Sequence, residues 1–361
     1  MEFLYPPLLS LITTIISIFP TIKIAKKFKL LDNPVKRPHP AHTQKRVVPR
    51  AGGLAIFLGI FVAILFFIPL EKHIIGVIFG MLILLITGLV DDRYTQFSPY
   101  KRLIFQFFAA GVVVISGVGI SFITNPLGGI IYLNSITIPF YFFGTHQIII
   151  IADILALVWI LWVMNMINWS KGVDGQMPGI VLVATFILGL LSLKLYQGGD
   201  INQLNIAKLS LITSGSALGF LIFNWYPAKI FPGFSGSTIF GLMIATLSIL
   251  SGAKLATAGL VLLVPATDFI YTFIRRILQK KSPVWGDRGH LHHRLLDLGL
   301  SPKQITCIYI FFGVILGALA LNLDSKGKLF AAVLVASSLL GLILWLNFFG
   351  VFSKHSDPGN G

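Results

Sequence analysis

Residues 165–179 read Asn-Met-Ile-Asn-Trp-Ser-Lys-Gly-Val-Asp-Gly-Gln-Met-Pro-Gly, and long apolar runs flank them at 147–164 and 180–193. The stretch contains two asparagines, a lysine, an aspartate and three glycines, which is not the composition of a lipid-facing helix. Polar groups at the edge of a bilayer are costly unless something polar binds there. Taken alone, the stretch could be a glycine-rich turn between two helices. Similar stretches elsewhere in the chain favour a binding loop.

The composition of the whole chain indicates an integral membrane protein. Of 361 residues, 55% are hydrophobic and 11% are charged, whereas a soluble domain has roughly 25% charged residues. The net charge of +15 lies in short loops between apolar runs, so it reflects membrane topology and not nucleic-acid binding. The single cysteine, Cys307, excludes an internal disulfide. Basic residues follow residues 3–22 and do not precede them, which favours a first membrane helix over a cleaved signal peptide.

Eleven apolar runs are long enough to cross a bilayer, because a spanning helix needs ~20 residues. They lie at about 3–22, 51–70, 73–90, 100–119, 147–165, 177–195, 205–224, 236–252, 254–277, 303–322 and 327–349. We predict an all-α membrane protein of about eleven transmembrane helices, with one domain over residues 1–350. Residues 120–146 have β-branched runs around Gly128-Gly129 and predict a small extracytoplasmic hairpin. Residues 351–361 are predicted to be a disordered cytoplasmic tail.

The basic residues orient these helices. If the eleven helices alternate in direction, 22 of the 28 lysines and arginines lie on one side, which is therefore cytoplasmic. The same side holds four polar stretches: the loop 165–179, the pair Asp91-Asp92, the segment 232–238 and His290–His293. We therefore expect one shared site at the cytoplasmic mouth of the bundle.

Asp91 and Asp92 end the third apolar run. Adjacent carboxylates at a membrane mouth can bind a divalent cation or accept a proton. The structural alternative is a helix-end pair that is neutralised by nearby cations, which are Arg93, Lys101 and Arg102.

The segment Phe231-Pro-Gly-Phe-Ser-Gly-Ser-Thr238 precedes the eighth run. Glycines and hydroxyls before a helix leave free N–H groups that suit a phosphate. The simpler interpretation is a helix cap formed by Ser235 or Ser237. The basic loop 23–50 anchors the cytoplasmic side, and its last cations could also reach the site: Lys45, Arg46 and Arg50.

The most specific stretch is Trp285-Gly-Asp-Arg-Gly-His-Leu-His-His-Arg-Leu295. If residues 289–295 are helical, then His290, His293 and Arg294 share one face. Three histidines could bind zinc, but the surrounding lysines and arginines favour a diphosphate over a metal. An amphipathic helix at the membrane interface is the alternative.

In this order the motifs resemble those of the polyprenyl-phosphate N-acetylhexosamine-1-phosphate transferases, glycosyltransferase family 4. The resemblance covers about residues 25–300 and rests on five motifs. They are Pro-x-x-Gly-Gly, Gly-Leu-Val-Asp-Asp, Asn-x-x-Asn-x-x-x-Gly-x-Asp-Gly, Phe-Asn-x-x-Pro-Ala-Lys-Ile-Phe-x-Gly-x-x-Gly-Ser and His-Leu-His-His-Arg-Leu. Each motif is weak alone, and the combination is specific.

The resemblance implies transfer of a sugar 1-phosphate from a UDP-N-acetylhexosamine to undecaprenyl phosphate, at the cytoplasmic face of the inner membrane and with Mg²⁺. It implies catalytic roles for Asp91, Asp92, His290, His292 and His293, with one aspartate deprotonating the lipid phosphate. The substrate-binding residues would be Lys45, Asn165, Asn168, Lys171, Gly172, Asp174, Ser235, Gly236, Ser237 and Arg294. The metal ligands would be Asp91, Asp92 and Asp174. We also expect contact with the bilayer and with a second copy of the chain, and none with nucleic acid.

Two positions depart from the family pattern. Lys171 and Phe234 stand where the family usually has aspartates, the second of which binds metal. Phenylalanine cannot bind Mg²⁺ and lysine repels it, so we expect Mg²⁺ to be weakly bound. The alternative function is an impaired relative that binds the UDP-sugar or the lipid carrier for a partner enzyme. A transporter would fit the helix count, but its site would lie near the midplane and not on one side.

Overall fold

A computed structural model of the chain describes residues 2–35, 46–94, 97–125, 128–141, 145–252, 254–282 and 288–349. The predicted substrate residue Lys45 and the predicted tail 351–361 lie outside the described residues.

The described ranges contain thirteen α-helices. Their bounds are α1 Tyr5–Lys27, α2 Gly52–Phe67, α3 Lys72–Arg93, α4 Pro99–Ile115, α5 Ile150–Trp169, α6 Gln176–Gln197, α7 Gln203–Asn224, α8 Gly233–Leu250, α9 Leu255–Val261, α10 Leu263–Leu278, α11 Leu291–Asp297, α12 Pro302–Asn322 and α13 Ser325–Phe349. Every predicted apolar run contains a helix, because a helix satisfies its own backbone hydrogen bonds within lipid. The ninth run is divided into α9 and α10, which meet at an angle of 84°.

Eight of the described helices are long and apolar enough to cross a membrane, and the bent pair α9–α10 would make a ninth. Helices α2 and α4 have only 16 and 17 residues, fewer than the ~20 that a span needs. An integral membrane protein is therefore confirmed. The count of eleven spans stays a prediction.

The fold is nearly, but not entirely, helical, because six short strands form three antiparallel pairs. They are β1 Leu31–Asp32 with β2 Val48–Pro49, β3 Phe122–Thr124 with β4 Ile130–Tyr132, and β5 Thr137–Tyr141 with β6 Thr145–Ile149. The single hairpin predicted at 120–146 is therefore two consecutive hairpins. The first turns at Gly128 and Gly129, whose φ angles of +129° and +82° favour glycine.

Helix α8 is the centre of the bundle, since every residue from Gly233 to Ile249 is buried. Small residues let its neighbours approach closely. A Cβ added at Gly88 of α3 would lie 2.3 Å from Ser235 N, and one at Gly53 of α2 would lie 2.2 Å from Ser235 Oγ. These contacts hold the first turn of α8 against the carboxyl-terminal part of α3.

Candidate active site

The four polar stretches lie together around the α5–α6 loop and the first turn of α8. The α5–α6 loop reaches this turn through Lys171, whose Nζ donates to Gly233 O at 3.1 Å. The backbone N–H of the following residue, Phe234, donates to Asp92 Oδ1 of α3 at 3.4 Å. The loop also touches the histidine segment, since a Cβ at Gly172 would lie 1.9 Å from His292 Nε2. The structure therefore builds one site from stretches that are far apart in sequence.

Asp91 and Asp92 are buried, and each is paired with an arginine. Arg102 Nε lies 2.6 Å from Asp91 Oδ1, and Arg50 Nε lies 3.1 Å from Asp92 Oδ1. Arg50 also contacts Asp32 at 3.3 Å. These pairs compensate charges that would be costly to bury alone. The remaining oxygen of Asp91, Oδ2, is buried without a hydrogen-bond partner among the described residues, so it is available to bind a ligand or accept a proton.

Lys171 lies beside the carboxylate pair. Its Nζ donates to Asn168 Oδ1 at 2.7 Å, to Gly233 O at 3.1 Å and to Ser237 Oγ at 3.4 Å. Burial and the charge of Arg50 lower the pKa of Lys171 to about 7, although the two carboxylates act in the opposite direction. The lysine is therefore held in a cage of oxygens.

The ring of Phe234 lies close to two cations. Arg102 Cζ is 5.5 Å and Lys171 Nζ is 6.0 Å from the ring centroid. These distances are within the range of cation–π attraction, about 6 Å. Phe234 thus gives these cations an aromatic face at the position where a carboxylate was expected.

Asp174 ties the α5–α6 loop to the loop between α7 and α8. Its Oδ2 accepts from Ala228 N at 2.9 Å and from Arg46 Nη2 at 3.3 Å. Burial raises the pKa of Asp174, and these two donors oppose that shift. Next to it, Gly175 has a φ of +82° and donates its N–H to Asn224 Oδ1 at 3.0 Å. Asp174, a predicted substrate-binding residue, therefore also fixes the shape of this loop.

The three histidines are buried at the start of α11. His290 Nδ1 lies 3.0 Å from Asp268 Oδ2 of α10, and Asp268 Oδ1 accepts from Leu291 N at 2.7 Å. The rings of His290 and His292 are stacked with centroids 5.4 Å apart. Burial, followed by the charges of His293 and His290, lowers the pKa of His292 well below its usual value. His292 is therefore a neutral hydrogen-bonding group at neutral pH.

Arg294, a predicted substrate residue, makes several contacts within the protein. Its Nε and Nη2 donate to Gly289 O, and its Nη1 donates to Ile343 O at 3.1 Å and to the side chain of Asn347. Arg294 therefore ties α11 to α13, and its contact with a diphosphate stays a prediction.

Three other predicted substrate residues make contacts between helices. Asn165 Nδ2 donates to Gln106 Oε1 of α4 at 3.1 Å. Ser235 and Gly236 are buried against Gly53 of α2. The N-terminus of α8 has no side-chain cap, so the simpler interpretation of Ser235 as a cap is wrong. These residues shape the site by packing.

The sequence is similar to those of several known proteins. The sequence model of glycosyl transferase family 4 matches residues 74–252. A probable undecaprenyl-phosphate N-acetylglucosaminyl 1-phosphate transferase of Bacillus subtilis (strain 168) is 32% identical over 326 residues, which are 88% of this chain and 84% of that protein. The chain belongs to glycosyl transferase family 4.

Two further relatives cover most of this family 4 chain. A decaprenyl-phosphate N-acetylglucosaminephosphotransferase of Mycolicibacterium smegmatis is 32% identical over 298 residues, 74% of this chain and 70% of that protein. A phospho-N-acetylmuramoyl-pentapeptide-transferase of Orientia tsutsugamushi is 28% identical over 324 residues, 83% of this chain and 87% of that protein. The resemblance inferred from the motifs is therefore confirmed.

The carboxylates of this family 4 chain do not match a magnesium centre. Asp91 and Asp92 face arginines, and Asp174 is held by Arg46 and a backbone N–H. The Phe234 ring has no atom that could bind the ion. Among the residues that the structure describes, no three His, Cys, Asp or Glu side chains could hold one ion together. The predicted metal ligands Asp91, Asp92 and Asp174 therefore do not come together as one set.

The sequence prediction missed three buried partners in this family 4 site. Asp268 positions His290, Asn224 holds the loop at Gly175, and Gln106 accepts from Asn165. Asp268 lies within a long apolar run, where an ionisable residue is itself a sign of function. That signal could have found it. Asn224 belongs to a quoted motif, but its role requires the contact between two loops.

Proposed function

We propose that this chain transfers an N-acetylhexosamine 1-phosphate from a UDP-sugar to undecaprenyl phosphate. The observation that supports this most strongly is that the α5–α6 loop contacts both the first turn of α8, where Asp92 also lies, and the histidine segment. N-acetylglucosamine is the best-supported sugar, because the relatives of Bacillus subtilis and Mycolicibacterium smegmatis are named for it. Their names also support a polyprenyl phosphate acceptor.

In the proposed reaction, an oxygen of the lipid phosphate attacks the β-phosphorus of the UDP-sugar. A new P–O bond forms, the bond from the β-phosphorus to the oxygen shared with the α-phosphate breaks, and UMP leaves with the electron pair. Such transfers depend on positioning and charge neutralisation more than on covalent help from the protein. Lys171 and the neighbouring guanidiniums of Arg50 and Arg102 provide positive charge for this step.

Asp91 is our candidate for the group that deprotonates the lipid phosphate. Its Oδ2 has no partner among the described residues, and its Oδ1 is fixed by Arg102 at 2.6 Å. A positioned carboxylate of this kind can act as a general base. Asp92, held by Arg50 and by the first turn of α8, positions that turn.

The histidines act in this proposal as hydrogen-bonding groups. Asp268 accepts a hydrogen bond from His290 Nδ1–H, which leaves Nε2 of His290 for a second hydrogen bond. His292 Nδ1 is buried without a hydrogen-bond partner among the described residues, so it can bind a polar group of the substrate.

The proposed location is the inner membrane, with several passes and with the site facing the cytoplasm. The uneven distribution of lysine and arginine supports this orientation. The lipid carrier would then reach the site from the bilayer and the UDP-sugar from the cytoplasm. The expected second copy of the chain stays a prediction.

The test is a transfer assay with the purified protein in vesicles that contain undecaprenyl phosphate. UDP-N-acetylglucosamine and UDP-N-acetylmuramoyl-pentapeptide, each labelled in the sugar, are supplied separately. We expect label from UDP-N-acetylglucosamine to enter the lipid phase. No lipid product from either donor, with retained binding of UDP-N-acetylglucosamine, would contradict the proposal and favour the impaired relative.

A further inference from the structure

We propose that Lys171 provides the positive charge that a bound Mg²⁺ would otherwise provide to the substrate diphosphate, so that transfer by this chain needs no divalent metal. This inference rests on the proposed function and adds how the site neutralises its substrate. Three independent features of the site carry it.

The first feature is the fixed position of the ammonium. A lysine ammonium has three donors and no acceptor. Nζ of Lys171 has an oxygen partner for each: Asn168 Oδ1 at 2.7 Å, Gly233 O at 3.1 Å and Ser237 Oγ at 3.4 Å. Ser237 Oγ in turn lies 2.8 Å from Asn168 Oδ1. Side-chain and carbonyl oxygens therefore hold a cation in the interior, in the way that they would hold a metal ion.

The second feature is the balance of charge. Arg102 and Arg50 already compensate Asp91 and Asp92, and Arg50 also contacts Asp32. With Lys171 the group contains three cations and three carboxylates. A divalent cation would add two positive charges, and among the described residues no three His, Cys, Asp or Glu side chains could hold it together. A diphosphate would instead bring negative charge to buried cations, which is the favourable direction.

The third feature is Phe234, the other departure from the family pattern. Its buried ring lies 6.0 Å from Lys171 Nζ and 5.5 Å from Arg102 Cζ. An aromatic face attracts cations but provides no lone pair for Mg²⁺. The two unusual residues are thus neighbours. Both make the site worse for a metal ion and better for a fixed ammonium.

The decisive experiment measures binding by the unmodified full-length protein. We would titrate UDP-N-acetylglucosamine calorimetrically, once in excess chelator and once in millimolar Mg²⁺. In a second measurement, Mn²⁺ serves as a paramagnetic probe of metal binding. We expect the two affinities to agree within about twofold, and we expect no Mn²⁺ to be immobilised beyond what the nucleotide binds alone. Stoichiometric Mn²⁺ binding by the protein, or an affinity that rises roughly tenfold with Mg²⁺, would overturn the proposal.

Variants then assign the effect to the lysine. Lys171→Met should weaken UDP-N-acetylglucosamine binding in chelator by roughly tenfold or more, since it removes a buried positive charge close to the diphosphate. The matched control is Lys328→Met. Lys328 Nζ also donates to a hydroxyl, Thr257 Oγ1 at 2.9 Å, but this pair lies at the other end of the bundle. Affinity of Lys171→Met equal to that of the control would overturn the proposal.

A transfer assay separates this inference from the proposed function. We expect equal rates in chelator and in Mg²⁺, within about twofold. A rate that depends steeply on Mg²⁺ would overturn the inference and leave the proposed function intact. No lipid product under any condition would overturn the proposed function, while the two binding measurements would still decide how the diphosphate is held.

Discussion

Two regions of this protein contain buried carboxylates, and the two regions compensate the negative charge in different ways. Asp91 and Asp92 are paired with the guanidiniums of Arg102 and Arg50. Asp268 has no arginine or lysine ion pair among the described residues, and it accepts from a histidine ring and from a backbone N–H. The first arrangement places several charged groups close together, and the second fixes the orientation of the His290 ring and of the start of α11. We infer that the first region neutralises the diphosphate and that the second orients it.

The surroundings of the two regions agree with this division. Trp169 packs against Phe269 and His290, with ring centroids 4.4 Å and 5.3 Å away. Burial also lowers the pKa of His292, because a low-dielectric environment disfavours the charged form. The guanidiniums beside Asp91 and Asp92, by contrast, have carboxylate partners.

The largest effect is expected at Asp91. Asp91→Asn removes the proposed proton acceptor but keeps an oxygen for Arg102, so the transfer rate should fall by about 10²–10⁴-fold. The binding of UDP-N-acetylglucosamine should change little. Asp297→Asn is the matched control, because Asp297 is paired with Arg288 at an exposed position. A rate above a tenth of the wild-type rate would remove Asp91 from the role of base.

The second prediction concerns Asp268. Asparagine has one acceptor oxygen where aspartate has two, so Asp268→Asn leaves either His290 or the Leu291 N–H without its partner. Leaving one buried donor unpaired costs ~1–3 kcal/mol. We expect kcat to fall by the factor that corresponds to this free energy, and we expect the KM for UDP-N-acetylglucosamine to change little. If instead the KM rises and kcat stays constant, the histidine region binds the donor and the contrast between the two regions fails.

Much of the fold and of the candidate site could be predicted from the sequence. Long apolar runs have one stable backbone conformation in lipid, so a helix was expected and is found in each run. The bend between α9 and α10 was not predicted. The one-sided polar stretches predicted a shared site, and the structure brings Lys171, Asp92 and His292 to it. The protein partners of individual side chains could not be predicted. Arg294, for example, donates to an oxygen of α13, a helix about 50 residues later in the sequence.

The oxygen cage of Lys171 could not be predicted for a related reason. It depends on residues of α5 and α8 that come together only because α2 and α3 press on the first turn of α8 through Gly53 and Gly88. Periodicity and composition do not encode such approaches. Asp268 was missed because it was counted as part of an apolar run, although its charge set it apart.

The third prediction concerns the loop that both regions share. Asp174→Ala removes the acceptor of Ala228 N and of Arg46, so the affinity for UDP-N-acetylglucosamine should weaken by ~1–3 kcal/mol. Isothermal titration of the purified variant measures this loss. Asp200→Asn, at an exposed position before α7, is the control. If Asp174→Ala binds UDP-N-acetylglucosamine with the wild-type affinity, then Asp174 does not contribute to binding the nucleotide sugar.

The smallest effect is a dependence on pH. Burial and Arg50 lower the pKa of Lys171 to about 7, and a bound diphosphate favours its ammonium form. The affinity should therefore be fully present below that pKa and should fall as pH rises above it, by at most about tenfold per pH unit. UDP-N-acetylglucosamine suits this test because a diphosphate diester does not itself titrate in this range. Lys171→Arg keeps its charge and should bind with a flat profile, whereas a falling profile in that variant would assign the titration to another group.

The most direct test of the central claim follows the β-phosphate. The purified protein is given undecaprenyl phosphate and UDP-N-acetylglucosamine that carries ³²P only in the β-phosphate, and both products are separated. Our account predicts that the label enters the lipid phase and that UMP is released in equal amount. Release of labelled UDP, with an unlabelled sugar on the lipid, would show that the sugar is transferred without its phosphate and would contradict the account.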